Sequence, residues 1–242
     1  MIIAYHRASG LHRSSNSVAM LNAHFAHIAK NYSVVMPGEE TAINRLSLCL
    51  TFDDAYCDFY HLIYPLLKKH QLRALLAVPT GFIQQSTTVL LEERLERLQK
   101  FWCFNKERPS NDIFCTFDEL REMQDCVAFA SHTHTHPDLS KCNDISRELS
   151  LSKEILEKEL GPVNTLIYPY GRVSRKTSSV VSKIYTYQMR LGSALNWGWS
   201  ENMLYRITGD SLLTPNEIFT KKALVPPLLK LASKKVLPLF RR

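Results

Sequence analysis

Several absences in the 242-residue chain narrow its class before any motif is read. Eight glycines and no periodic self-similarity exclude collagen-like and repeat architectures. No Pro/Gly/Ser-rich stretch divides the chain, so a single domain is expected. No apolar run approaches the roughly 18 residues a spanning helix needs, and Met1–Arg7 carries neither a basic n-region nor an apolar h-region. The six cysteines include no C-x-x-C pair. Reduced thiols and a cytoplasmic setting are therefore expected. The C-terminal segment has no acidic residue. Residues 221–242 hold seven of the 30 Lys+Arg and none of the 23 Asp+Glu, so residues 1–220 are neutral and the net +7 belongs to the tail. With no recognised binding motif beside the charge, nucleic acid is not an expected partner.

What is present is ordinary for a globular protein: 45% hydrophobic residues arranged in short apolar runs that alternate with helix-period segments. Ile2–Tyr5, Leu46–Leu50, Ala74–Val78, Val127–Ala130 and Thr165–Tyr168 read as strands, with further strand-like pieces near 187–191 and 203–208. Helical spacing runs through Val18, Leu21, Phe25, Ile28 and Tyr32, with His24 and His27 expected on its solvated side. It recurs through Phe59–Leu66, near 90–100, over 117–124, and from an Asn143/Asp144 cap to the Gly161-Pro162 stop. The irregular stretch 83–114 reads as an excursion over a cleft. Repeated β-then-α alternation predicts a parallel α/β architecture, open or barrel-shaped.

Chemistry-bearing residues gather where strands stop: Asp53-Asp54, Ser131-His-Thr-His-Thr-His-Pro137, and Pro169-Tyr170-Gly171. In a parallel barrel all such ends share one face. Two histidines four residues apart plus a carboxylate from another strand suit a divalent ion with open positions, Zn²⁺ foremost. Strict alternation would put His132, His134 and His136 on one side, so spacing alone does not choose the ligands. Adjacent carboxylates either split into ligand and base or serve as a helix N-cap.

Thr51-Phe-Asp-Asp54, His132-Thr-His-Thr-His-Pro-Asp-Leu139 and Tyr168-Pro-Tyr-Gly171, with Tyr5-His-Arg7 ahead of them, resemble the motifs of the NodB-type polysaccharide deacetylases, carbohydrate esterase family four. The resemblance runs in matching order over roughly residues 1 to 210. It implies an α/β fold, a distorted (β/α) TIM-like barrel, and metal-dependent removal of N-acetyl groups from an amino sugar of a cell-envelope polysaccharide or lipid-linked precursor. By the same resemblance Asp53 is the general base, Asp54, His132 and His136 hold the metal, and the Tyr170 N–H helps hold the oxyanion. A deformylase or non-sugar amide hydrolase using the same metal, or a non-catalytic glycan-binding barrel, are the alternatives.

Three departures from the family pattern stand out. No histidine follows His136, where the family supplies its acid from a late strand, so His6, His134 or a recycled Asp53 proton must serve, or the acid is absent. Ala55 stands where many members have Gly, and Tyr168 where an Arg often precedes Pro-Tyr. Arg172, His6 and His134 are candidate accessory or substrate-binding residues, although His6 at the first strand end also reads as a core-edge imidazole. Trp197 and Trp199 read as core residues or sugar-stacking rings. A barrel over 1–220 is followed by a basic tail over 221–242. With Leu228, Leu229, Ala232 and Val236 on one side and Lys230 and Lys234 on the other, the tail is either a packed helix or a peripheral anchor for anionic membrane, at the inner face of the membrane.

Overall fold

Eight short strands follow from the apolar runs: β1 (Ile2–Tyr5), β2 (Ser33–Val34), β3 (Ser47–Phe52), β4 (Ala74–Val78), β5 (Val127–Ser131), β6 (Thr165–Ile167), β7 (Tyr187–Leu191) and β8 (Leu204–Thr208). They belong to a computed structural model that describes residues 1–8, 14–41, 45–104, 108–200 and 202–236, with side chains through residue 232. Every pairing is parallel, in the order β1-β8-β7-β6-β5-β4-β3-β2. A further pairing of β1 with β3, from Ile2 opposite Cys49 to Tyr5 opposite Phe52, closes seven strands into a barrel and leaves β2 as a two-residue addition on β3. The expected distorted (β/α) barrel is therefore the fold, and closure leaves no exposed edge among those seven.

Helices α1 (Val18–Asn31), α2 (Tyr64–Lys69), α3 (Leu91–Lys100), α4 (Phe117–Glu122), α5 (Ile145–Leu160), α6 (Arg175–Val181) and α7 (Lys221–Val236) accompany the strands. Their ends show the local chemistry that starts them. Ser17 and Asp144 accept the N–H groups of Met20 and Arg147, and Thr116 with Glu119 forms a reciprocal capping box at α4. α2 is entered through a π turn over Phe59–Ile63, just ahead of Pro65, which has no N–H to give an α-helical ladder. No helix among the described residues is long and apolar enough to cross a membrane.

Strand parity sorts the core into two shells. Ile2, Cys49, Leu75, Ala77, Ala130, Ile167, Met189 and Leu204 form one cluster inside the barrel, while Ile3, Tyr5, Leu48, Leu50, Phe52, Leu76 and Phe129 belong to the larger cluster beneath the helices. Continuing each inward series by two residues gives Ile2–Ala4–His6, Cys49–Thr51–Asp53, Ala130–His132 and Leu204–Arg206. The polar residues that end these series stand on the barrel axis at the carboxyl ends of the strands.

α1 corrects an expectation. His24 is fully buried, with its Nδ1 donating to the Pro215 carbonyl and its Nε2 accepting from the Tyr5 hydroxyl at 2.7 Å, while burial lowers its pKa. Two specific partners, one from the chain ahead of α7, make a polar ring acceptable where solvent was expected.

α7 differs too. Among its described side chains Pro227 and Leu231, four apart, are buried, and Lys230 reaches the Gly192 carbonyl. Leu228 and Leu229, on the side expected either to pack on the barrel or to meet a membrane, are 47% and 66% exposed. Pro226 and Pro227 lie inside the helix and deprive two carbonyls of donors, so packing rather than propensity holds it. The expected sides of Lys234 and Val236 fall outside the described side chains, and residues 237–242 of the tail outside the described residues.

Candidate active site and metal centre

The three strand-end motifs converge. Asp54 Oδ1 lies 3.4 Å from His132 Nε2 and 3.2 Å from His136 Nε2, and the three ligand atoms fall within 4.8 Å of one another, all on buried residues. His132 Nδ1 donates to the Ile167 carbonyl at 2.8 Å, which fixes the tautomer and turns the Nε2 lone pair inward. Asp54 Oδ1 is buried and accepts no hydrogen bond. A carboxylate oxygen without a donor, facing two imidazole nitrogens, is a donor set that a divalent cation satisfies. The residues present therefore fit a metal.

Local backbone geometry makes the convergence possible. β5 stops at Ser131, and Thr133 and His136 take φ of 69° and 56°, so the histidines do not alternate along a strand. The chain coils instead, bringing His136 back beside His132 with ring centroids 4.8 Å apart. His134 is thereby turned away. Its Nδ1 meets Thr80 Oγ1 at 3.0 Å, its N–H donates to Glu148, and it lines a separate hollow with Arg147 and Glu148. His134 is not placed to act as the late acid. Asp54 and Ala55 also take positive φ, 73° and 52°, which swings Asp54 toward the histidines while parity already points Asp53 inward. Position 55 favours Gly because an L side chain resists this conformation.

Asp53 is held by a residue that the motifs did not flag. Arg206 on β8, 1% exposed, donates from Nη1 and Nη2 to the two Asp53 oxygens at 2.6 and 2.8 Å, and from Nη1 to Thr51 Oγ1 at 3.0 Å. Burial alone would raise the Asp53 pKa, but the guanidinium outweighs it and holds the carboxyl below its ordinary value. Such a bidentate clamp fixes the carboxylate plane as well as its charge. The clamp comes from a different strand, 153 residues from its partner.

His6 faces the same cavity. Its Nδ1 donates to Asp210 Oδ2 at 2.6 Å, its N–H to Asp210 Oδ1, and its Nε2 stands 3.6 Å from Asp53 Oδ2. Burial would lower this imidazole, but Asp210, then Asp53 and Asp54, outweigh it and raise its pKa to about 9. Its bond partners are carboxylates rather than the backbone carbonyl of a core-edge ring. Asp210, like Arg206, escaped the sequence reading. Each is a lone charged residue, and only the inward parity of Leu204–Arg206 and the closeness of position 210 to that strand end could have drawn attention to them.

A cavity of ≈ 200 Å³ lined by His6, Asp53, Asp54, His132, His136 and Arg206 opens beside a cleft of ≈ 540 Å³ that carries Phe82, Arg108 and Asp138, with Phe104, His136 and Tyr170 common to both. Phe104 stacks on His136 with centroids 3.9 Å apart, and Trp102 and Cys103 line the mouth, so the 83–114 excursion does reach over the site. Arg7 fastens it there by donating to the Leu98 and Phe101 carbonyls. Tyr170 has φ 57° and ψ 2°, and its hydroxyl lies 3.2 Å from His136 Nδ1. Arg172 lines neither space. Its guanidinium donates to Asp138 at 2.7 Å and braces the cleft from behind. Trp197 and Trp199 lie at the opposite end of the barrel, away from the metal centre.

Known proteins share this fold. The polysaccharide deacetylase family model matches residues 43–188, more than half of the chain. No curated protein matches. Among solved structures, the Streptococcus pyogenes deacetylase PplD in complex with acetate superposes with a TM-score of 0.72 at 20% identity, covering 90% of this chain and 95% of that one. A de-N-acetylase from Aggregatibacter actinomycetemcomitans gives 0.72 at 19%, covering 90% and 98%. IcaB from Ammonifex degensii gives 0.70 at 17%, covering 94% and 96%. At these identities the superpositions establish the fold. The matched segment contains Asp53, Asp54, His132, His136 and Tyr170, whereas His6, Arg206 and Asp210 join them from outside it. The chain belongs to the polysaccharide deacetylase family.

Proposed function

We propose that the protein is a metal-dependent hydrolase that removes N-acetyl groups from an amino sugar of a cell-envelope polysaccharide. The observation that carries this reading is the buried Asp54–His132–His136 cluster with an unpartnered carboxylate oxygen, next to a second carboxylate that is clamped rather than coordinated. Held by those three residues, a divalent cation, Zn²⁺ by its preference for this donor set, would supply Lewis acidity at the acetyl carbonyl and acidify a water.

The chain's own groups divide the remaining work. Asp53, kept ionised and oriented by Arg206, accepts the proton of the attacking water. The Tyr170 N–H, presented by a left-handed turn, faces the developing oxyanion. The His6 imidazolium, held by Asp210 on the Asp53 side of the cavity, delivers a proton to the departing amine nitrogen. With His6 as a candidate donor, the missing late histidine no longer favours a non-catalytic barrel. The open cleft beside the metal centre, with Phe82, Phe104 and Tyr170 along it, suits sugar rings flanking the reacting one. Six cysteines without a disulfide support a reducing compartment, in keeping with a cytoplasmic location.

The test is acetate release from N-acetylated glucosamine oligomers by metal-loaded protein. Asp53→Asn and His6→Asn should each lower kcat by about 10²–10⁴, with bound metal retained. Formate release from N-formyl substrates in place of acetate would support the deformylase alternative. Tight glycan binding with no acyl release by the wild type would end the enzymatic reading.

A further inference from the structure

The end of the barrel opposite the metal centre has its own construction. A cavity of ≈ 670 Å³ opens there between the first residues of β1 and β3 (Met1, Ile2, Ser47, Cys49), the β7–β8 connection and α7. Trp197, on that connection, is 58% exposed at its wall, although tryptophan is usually mostly covered. Leu228 of α7 lines the same cavity and is 47% exposed, and beside it on the helix stand Val225 at 51% and Leu229 at 66%. The spacing of 225, 228, 229 and 232 is that of one helical face, next to the stripe of Pro227 and Leu231 that packs inward. An apolar stripe thus runs from the outside of α7 into a tryptophan-lined hollow.

Charge identifies the occupant. The segment 221–242 that carries this stripe has seven Lys/Arg and no acidic residue, while the rest of the chain is neutral. Lys221 and Lys222 are exposed at the start of α7, and Arg45 is exposed on the cavity wall. A second copy of this face would bring like charges together. An apolar stripe beside an exposed tryptophan, on a segment whose charges are all cationic, matches the boundary of a bilayer rich in anionic lipid. We propose that this end of the barrel docks on an anionic membrane surface, with Trp197, Leu228 and Leu229 in the interfacial layer and the α7 lysines against lipid phosphates. Docked this way, the metal centre opens away from the bilayer. A polymer standing off the surface then reaches it more readily than a sugar attached at the headgroups of the same leaflet.

The experiment uses the full chain with vesicles of phosphatidylcholine alone and with added phosphatidylglycerol. Sedimentation should show binding only to the anionic vesicles, weakening as salt is raised. Lys221→Glu/Lys222→Glu and Leu229→Ser should each weaken it at least about tenfold. These positions are exposed, and acidic residues in the first turn of α7 favour the helix, so loss of binding would not report unfolding. A blue shift of tryptophan emission on binding should disappear in Trp197→Phe. Absence of binding to anionic vesicles, or equal binding by these variants, overturns the proposal. So does a wild-type dimer that Leu229→Ser dissociates without any vesicle binding, which would assign the stripe to a second copy.

Discussion

The two ends of this barrel are built from the same strands by opposite rules. At the carboxyl ends, inward positions carry His6, Asp53, His132 and Arg206, all charged or ionisable and nearly all buried. At the amino ends, the inward positions nearest the opening are Ile2 and Cys49, and the surface beyond them is apolar and exposed. The polar end is stable because its charges pair with one another, Arg206 with Asp53 and Asp210 with His6. Asp54 Oδ1, like Arg206 Nε, is left without a hydrogen-bond partner. The proposed function at this end draws on an unsatisfied polar atom, and the proposed docking at the other on exposed apolar area.

The largest predicted effect removes the polar end's distinguishing feature. His132→Ala should lose bound metal and lower acetate release by more than about 10³, measured by metal analysis and turnover. Trp197→Ala, at the other end, should change neither. Next comes the clamp. Arg206→Leu leaves Asp53 buried without its partner and should cost about 3–5 kcal/mol of stability in denaturant titration. A cost below about 1 kcal/mol would mean that water reaches Asp53 and that the polar end is wetter than its burial indicates.

The excursion over the site depends on a second buried pair, Arg94–Glu119, made by two hydrogen bonds at 2.6 and 2.9 Å. Burial alone would raise Glu119, but Arg94, with His61 and the Thr116 N–H, brings its pKa down to about 2 from the ordinary 4.5. This stabilisation is complete above pH 4.5 and is lost as pH falls toward 2, at most about 3 kcal/mol over that window. Glu119→Gln should therefore flatten the acid limb of stability in thermal melts at a series of pH values. The smallest effect is at Ala55, fully buried at φ 52°. Ala55→Gly should relieve left-handed strain and raise stability by up to about 1 kcal/mol, provided that the fully packed methyl contributes less than the strain costs.

Much of the polar end was legible in the sequence because its residues come in short motifs at strand ends. Asp53-Asp54 and His132 through His136 announce themselves by clustering. His134 did too, and it misled, because two positive-φ residues replace strand alternation with a coil that no spacing rule anticipates. Arg206 and Asp210 are single residues far along the chain from their partners, so only barrel closure shows what they hold. α6 escaped notice because its sequence, Arg-Lys-Thr-Ser-Ser-Val-Val, buries only Thr177 and Val181. The inward side of α7 was left open for a related reason. Leucines at 228, 229 and 231 surround much of the helix, and packing alone decides which one is buried.

By itself the sequence determined the alternation of strand and helix, the residue types of a metal site and the confinement of net charge to one segment. These are local properties, set by periodicity, strand-end chemistry and composition. Tertiary structure alone decided that seven strands close, and that closure places residues 6, 53 and 206 around one cavity. It also decided that one face of the last helix stays outside. Those outcomes depend on pairings between residues that chain connectivity leaves free, and only the packed core selects them.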